Sequence, residues 1–321
     1  MNHINWGVIG AGNIARKFAS ACNGGANGSL YAIASRTLEK AERFVAENGN
    51  GTTIAYGSYE EMLEDDRIDA VYIATTNSTH LSLIQMCAKA GKHVLCEKPC
   101  VLTKADALLV KEAADTYGVI IMEALWSSFL PVTKKTKEWI AEGKIGKVRA
   151  IHTDFAFFAK TFPGARLFEK GLAGGGMVDV GVYCLAYVMN IMDAEPVDMA
   201  SFLQIGETEV DEYGSVILRF ENGVIADCNF GLKLMSKHRA YIYGEDGMIQ
   251  VEKFWQSREC KLVNNKGEVL EIFEDDVENG FVFEIEHFQT LICEGKKESE
   301  IMPLARTIKI ASLFDDIRSN G

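Results

Sequence analysis

Residues 4–15 read INWGVIGAGNIA, a short, mostly apolar run that enters Gly10-Ala11-Gly12 and passes without a linker into Asn13-Ile14-Ala15. Ile14, Phe18 and Cys22 then recur at helical spacing, so the order is strand, glycine turn, helix. That context gives the G-x-G-x-x-A pattern its meaning. Gly10 makes the tight turn, Gly12 lets a pyrophosphate approach the backbone, and the helix end offers unpaired N–H groups. The spacing therefore predicts a dinucleotide-binding unit at the start of the chain.

The same alternation continues outward. Apolar runs at 30–35, 52–56, 70–75, 94–96 and 119–124 read as strands, separated by helical patterns such as 37–48 and 103–117. Ser58 with Glu61, and Thr103 with Asp106, have the spacing of helix capping boxes. Short right-handed crossovers put all the strand ends on one side of a parallel, doubly wound sheet, so Gly10, Ser35, Thr75 and Lys98 share a rim. Lys98 comes from the stretch 91–99, GKHVLCEKP, in which Val94, Leu95 and Cys96 deliver Glu97, Lys98 and Pro99. Open α/β sheets bind ligands at that end. At the end of the second strand, where an NAD site presents an acid to the ribose, the chain has Ser35-Arg36-Thr37. A small hydroxyl and a guanidinium suit a 2′-phosphate, which favours NADP over NAD.

After residue 124 the character changes. A helical segment within 125–142, an aromatic-rich strand at 148–158 and Gly174-Gly175-Gly176 opening a helix at 177–192 precede a mainly β region from 198 to 263. Two helices, 281–293 and 304–319, close the chain, and the acidic run 274–278 reads as a solvated loop. The expected architecture is an α/β chain: a Rossmann domain over residues 1–122, and over 123–321 an α+β domain with a large, mostly antiparallel open sheet.

The helix after the triple glycine carries Asp179 and Tyr183 four residues apart, one turn from each other. Oxidation of a secondary alcohol needs a group to take the hydroxyl proton. A tyrosine titrates near pH 10, so it needs a nearby cation to serve as a base, and Lys98 is the expected one. Asp179 is placed to hold Lys98 or the substrate. His80 is read as a structural hydrogen-bonding group beside the nicotinamide. Trp126, Phe155, Phe157, Phe158 and Phe162 are candidates for an apolar wall, with Phe155 and Phe157 on one strand face.

The eight cysteines show no C-x-x-C pair and sit mostly in apolar patterns, which reads as buried thiols in a reducing compartment, with no metal site. No window is expected to approach a membrane span, and the charge-poor start MNHINWGVIG is unlike a signal peptide, so the expected location is cytoplasmic. A net charge of −12 argues against a nucleic-acid surface.

Taken together, the N-terminal G-x-G-x-x-A, ATTNSTH at 74–80, EKP at 97–99, GKIG at 143–146 and GGGMVDVGVY at 174–183 resemble the glucose-fructose oxidoreductase and inositol dehydrogenase (Gfo/Idh/MocA) family. Most of that family carries D-x-G-x-H, and Tyr183 stands where the histidine would be. With MEALWSSFLP at 122–131, this tyrosine is similar to the branch containing dimeric dihydrodiol dehydrogenase and NADP-dependent D-xylose dehydrogenase, from which Ser128 departs. The resemblance implies Lys98 and Tyr183 as the catalytic pair, assisted by Asp179, a cis Lys98–Pro99 bond, and a homodimer formed through the open sheet face. The implied cofactor set is Gly10, Gly12, Asn13, Ile14, Ser35 and Arg36 on the first two strand ends. Thr75, Asn77, His80, Glu97 and Lys98 complete it on the next two. Trp126, Phe155 and Arg166 are the expected substrate contacts. The implied activity is hydride transfer to or from a sugar, polyol or cyclic dihydrodiol. Alternatives are a keto-sugar reductase or a dinucleotide-binding sensor without turnover.

Overall fold

The computed structural model describes residues 3–25, 27–162, 164–192 and 194–320. Met1 and Asn2, the first residues of the charge-poor start, lie outside them. Two compact units are present: Met1–Trp126 with Asn279–Ala311, and Ser127–Glu278 with Ser312–Gly321.

In the first unit, β1 (Ile4–Ile9), β2 (Gly28–Ala34), β3 (Ile54–Tyr56), β4 (Ala70–Ile73), β5 (His93–Glu97) and β6 (Ile121–Ala124) form a sheet in the order β3-β2-β1-β4-β5-β6. Every neighbouring pair is parallel. The order reverses between β1 and β4, the switch point at which doubly wound sheets open a ligand crevice. The crossovers carry α1 (Asn13–Gly24), α2 (Leu38–Asn48), α3 (Tyr59–Leu63), α4 (His80–Lys89) and α5 (Lys104–Tyr117). Both capping residues work as read: Ser58 Oγ accepts from the Glu61 N–H at 3.2 Å, and Thr103 Oγ1 from the Asp106 N–H at 3.1 Å. Each bond satisfies a helix-terminal donor that would otherwise be orphaned.

The second unit begins with α6 (Pro131–Ala141) and β7 (Val148–Ala156), followed by α7 (Val182–Met192). Then come β8 (Pro196–Ile205), β9 (Asp211–Phe220), β10 (Ile225–Gly231), β11 (Arg239–Gly244), β12 (Gly247–Glu252), β13 (Glu259–Asn264) and β14 (Val269–Glu274). The eight strands run in the order β14-β13-β12-β11-β7-β10-β9-β8, antiparallel throughout except for the β7–β10 pair. Alternate residues turn to opposite faces. One face is buried: the Phe230 ring lies where Gly181 and Gly214 leave no side chain, and a Cβ at Gly181 would stand 2.9 Å from it. On the other face the register aligns Ala200, Ile217, Asp227, His152, Tyr241, Gln250, Lys261 and Ile272 in one row across the sheet. None of these eight is buried.

The chain then returns to the first unit with α8 (Phe281–Cys293), and ends in α9 (Leu304–Asn320). The reason for the return is a buried aromatic stack. Trp6 of β1 meets Phe18 edge-on at 5.1 Å, Phe18 stacks on Tyr72 at 3.9 Å, and Phe288 of α8 covers Trp6 at 5.6 Å. Without α8 these large rings would face solvent, losing roughly 1.5–3 kcal/mol for each such side chain. A division after residue 122 leaves this excursion out, because helical periodicity shows a helix but not the sheet it covers.

One expectation is overturned. Lys170–Met192 is long and apolar enough to cross a membrane, although 78% of its apolar window is buried inside the protein. Its α7 portion is apolar all round because it is a core helix, and that pattern overlaps with a membrane span. The eight cysteines are all free, and seven are buried, with Cys293 exposed.

Candidate active site

The first unit gathers its candidate residues at the carboxyl ends of β1, β2, β4 and β5. Gly10 has φ +103°, and a Cβ there would lie 2.6 Å from the Ala74 carbonyl oxygen, so glycine is required by both conformation and space. Gly12 differs: a Cβ would meet nothing within 4 Å. It is the N-cap of α1 and supplies no side-chain cap to the first N–H groups of α1, which include those of Asn13 and Ile14. An open backbone at a helix N-terminus fits the pyrophosphate of a dinucleotide. Ser35 is buried at the end of β2 and Arg36 beside it is exposed. Thr75 Oγ1 and Thr79 Oγ1 lie 2.8 Å apart, and Asn77 begins a single 3-10 turn.

His80 is a brace. Its Nδ1–H donates to the carbonyls of Pro99 (3.0 Å) and Cys100 (3.2 Å), which ties α4 to the turn carrying Lys98. Burial pushes its pKa down, partly opposed by the carbonyls of Pro99, Thr75 and Cys100 that its ring nitrogens face. The Lys98–Pro99 peptide is cis. Glu97, expected on the cofactor, instead turns its carboxyl into the interior. It is buried and accepts from the Tyr72 hydroxyl and from the Lys98 N–H at 3.2 Å. Trp126 is buried and stacks on Phe281 at 5.0 Å.

In the second unit, residues 177–181 form a π turn that leads into α7, so Asp179 and Tyr183 are not separated by one regular α turn as expected. The wide turn fits around the tight packing of Gly181 on Phe230. Its entrance is held by Asp211, whose Oδ2 accepts the Met177 N–H at 2.5 Å. Two of the three glycines serve this approach: a Cβ would stand 2.3 Å from Asp211 Oδ1 at Gly175 and 3.2 Å from Asp211 Oδ2 at Gly176, whereas one at Gly174 would stand 2.5 Å from the Leu167 carbonyl oxygen. Burial raises the Asp211 carboxyl to about 6, opposed by the Met177 N–H. Asp179, free of that capping role, pairs with Arg166 at 2.8 Å, so this expected substrate contact is engaged with the expected assisting acid.

Tyr183 is 7% exposed and lies in a wall of rings. Phe155 is 5.6 Å from it, Trp255 is 6.0 Å from it, and Phe155 stacks on Trp255 at 5.0 Å. His238 covers Phe155 at 4.7 Å, with Nε2 donating to the Ala156 carbonyl at 2.8 Å. Of the aromatics read from the sequence, Phe155 joins this wall, whereas Phe158 and Phe162 are exposed. The strand stops at Ala156, so alternation does not carry through Phe157 and Phe158. Sequence reasoning missed Trp255, His238 and Asp211, which sit about 100, 80 and 30 residues from their partners with no local pattern to mark them.

Comparison with known proteins follows the same division. Residues 4–125 match the family described as "Oxidoreductase family, NAD-binding Rossmann fold", and residues 133–250 match the "GFO/IDH/MocA C-terminal domain". Trans-1,2-dihydrobenzene-1,2-diol dehydrogenase of Mus musculus is 32% identical, covering 98% of this chain and 96% of the relative. The enzyme of the same name from Xenopus tropicalis is 33% identical over 97% of this chain and 96% of its own. Among solved structures, KijD10, a 3-ketoreductase from Actinomadura kijaniata in complex with NADP and TDP-benzene, superposes with a TM-score of 0.89 at 25% identity, covering 99% of this chain and 98% of that one.

Proposed function

Since the chain belongs to the Gfo/Idh/MocA family of oxidoreductases, we propose that it is an NADP-dependent dehydrogenase acting on a secondary alcohol or carbonyl of a sugar, polyol or cyclic dihydrodiol. The observation that carries this reading is the open, uncapped backbone at Gly12 on the same rim as Arg36 and Lys98. Gly10, Gly12, Asn13 and Ile14 hold the pyrophosphate, and Ser35 and Arg36 the 2′-phosphate. Thr75, Asn77 and the backbone of Glu97 position the nicotinamide half, with His80 bracing the turns behind it. When bound, the nicotinamide accepts or returns a hydride at C4.

The proton is the protein's task. In oxidation, the Tyr183 phenolate takes the substrate hydroxyl proton as the carbonyl forms, and the Lys98 ammonium stabilises that phenolate. Asp179 orients the substrate or the lysine, while Trp126, Phe155 and Arg166 define the substrate's place. Reduction of a keto-sugar is the second reading, favoured by the likeness to a 3-ketoreductase. The relatives named as diol dehydrogenases favour oxidation.

A spectrophotometric panel of sugars, inositols and diols with both cofactors tests the reading. NADP-linked turnover of at least one is expected, and tight NADP binding without turnover across the panel would leave a sensor instead. In the same assay Arg36→Ala should weaken NADP by about 1–3 kcal/mol, the range of a charge-assisted contact, and leave NAD unchanged. Equal losses for both cofactors would remove Arg36 from the 2′-phosphate.

We also propose a homodimer formed through the unburied sheet face, where Phe202 is 77% exposed and Ile217, Ile225 and Ile272 are about half exposed. Sedimentation should return twice the 35.4 kDa chain mass, and Phe202→Asp with Ile217→Asp should return the monomer. A monomeric wild type would refute it.

A further inference from the structure

The helix α8 brings an acid into the first unit for which the rim reading has no use. Glu284 is fully buried, and neither of its carboxylate oxygens has a hydrogen-bond partner among the described residues. Phe281, Ile285 and Phe288 share its helical face and are buried with it. The charge that reaches Glu284 is that of Glu97 on β5, and burial followed by that charge holds its carboxyl well above the ordinary range.

Glu97 is placed differently. The Tyr72 hydroxyl of β4 donates to one carboxyl oxygen, the Lys98 N–H donates to the other at 3.2 Å, and the Lys98 charge also favours the ion. Burial still pushes its carboxyl up, and so does Glu123 of β6. Glu123 is itself satisfied by the Cys100 N–H at 2.9 Å and Thr307 Oγ1 at 2.8 Å. The buried Cys96 thiol lies beside both acids and is pushed up by burial, so it stays protonated. These are the titratable groups that face the pair.

A buried carboxyl ionises where donors meet it and keeps its proton where none does. Donors and a cation meet Glu97, whereas none meets Glu284. We propose that the unpartnered Glu284 keeps its proton while Glu97 is ionised, and that the ionised Glu97 is a positioning residue for Lys98, the counter-ion that sets how strongly the ammonium stabilises the Tyr183 phenolate. The inference rests on the reading of Lys98 and Tyr183 as the catalytic pair. It goes further by assigning roles to two carboxyl groups, those of Glu97 and Glu284, that the rim reading leaves unused.

The test has one arm that needs no turnover. Infrared spectra of the intact protein near neutral pH should show the carbonyl band of a buried protonated carboxyl, lost in Glu284→Gln and retained in Glu97→Gln. A band that survives in Glu284→Gln and vanishes in Glu97→Gln would move the proton and overturn the proposal, as would no band in the wild type. Unfolding gives a second check of the same point. A carboxyl raised in the folded state contributes stability that is fully present below its ordinary value near 4.3 and is lost as pH rises toward the folded value. Glu284→Gln should therefore gain stability over the wild type progressively across that window, and a gap constant with pH would count against it.

The kinetic arm tests the counter-ion. In Glu97→Gln the pH of half-maximal oxidation should fall by about one unit, roughly a tenfold gain in relative rate on the acid limb, because a negative charge no longer offsets the lysine. In Glu284→Gln, which mimics the protonated acid, that midpoint should stay within about 0.3 unit. A fixed midpoint in Glu97→Gln, or an equal shift in both variants, would remove Glu97 from this role. If Glu97→Gln does not fold, Glu97→Asp keeps the charge and should keep the midpoint, and Tyr72→Phe, which removes one donor to the ion, should lower relative occupancy of that ion and move the midpoint down. No turnover by the wild type would refute the catalytic reading alone, while the infrared and unfolding results would still decide where the proton sits.

Discussion

Lys98→Met should abolish turnover while leaving NADP binding nearly intact. On the proposed mechanism the ammonium acts on charge that develops at the substrate and at Tyr183. Methionine keeps the length of the stem and removes that charge. Loss of one preorganised electrostatic partner typically lowers kcat by about 10²–10³, and more is expected where the cation also makes a tyrosine usable as a base at neutral pH. The pyrophosphate is assigned to the backbone at Gly12 and the 2′-phosphate to Arg36, so fluorescence titration should give an NADP dissociation constant within about threefold of the wild type, less than a contact worth 1 kcal/mol. The fold should survive, since the His80 bonds that brace this turn run to the carbonyls of Pro99 and Cys100 and leave the lysine side chain out. Retained turnover in Lys98→Met would return the stretch 91–99 to the status of an ordinary turn.

Tyr183→Phe should lower kcat by about 10²–10⁴, the range of a positioned general acid or base. Phenylalanine fills the same space beside the Phe155 and Trp255 rings, so the thermal unfolding midpoint should change little. The pH dependence gives the sign. Oxidation needs the phenolate, so its rate should rise with pH in the wild type. Reduction needs the phenol as proton donor, so its rate should fall as pH rises. In Tyr183→Phe both slopes should flatten. A wild-type oxidation rate flat from about pH 6 to 10 would exclude a residue titrating in the tyrosine range as the base.

Much of the first unit was legible because its signals are local. The passage from 4–15 into a glycine turn and a helix, the capping pairs at Ser58 and Thr103, and apolar runs at strand spacing all lie within a few residues of the structure they specify. The doubly wound order and the rim follow from those elements and the handedness of crossovers. Glu284 left a signal that the sequence reading passed over: an acid at the inner position of Phe281, Ile285 and Phe288 breaks the amphipathic pattern. That pattern fixes which face turns inward and leaves open what lies there.

The sequence by itself determined the α/β class, the dinucleotide turn at Gly10–Gly12, the exposed arginine at the end of β2 and the lysine at the end of β5. Each follows from backbone sterics or periodicity acting over one or two elements. Only the tertiary structure decided the rest: Glu97 faces Tyr72 and the interior, Asp211 takes the Met177 N–H at the helix entrance, and Arg166 holds Asp179, which was expected to hold Lys98 or the substrate. The return of α8 belongs with these. They depend on side chains tens to hundreds of residues apart competing for the same buried donors and space, and that competition is settled by packing and desolvation once the chain has closed on itself.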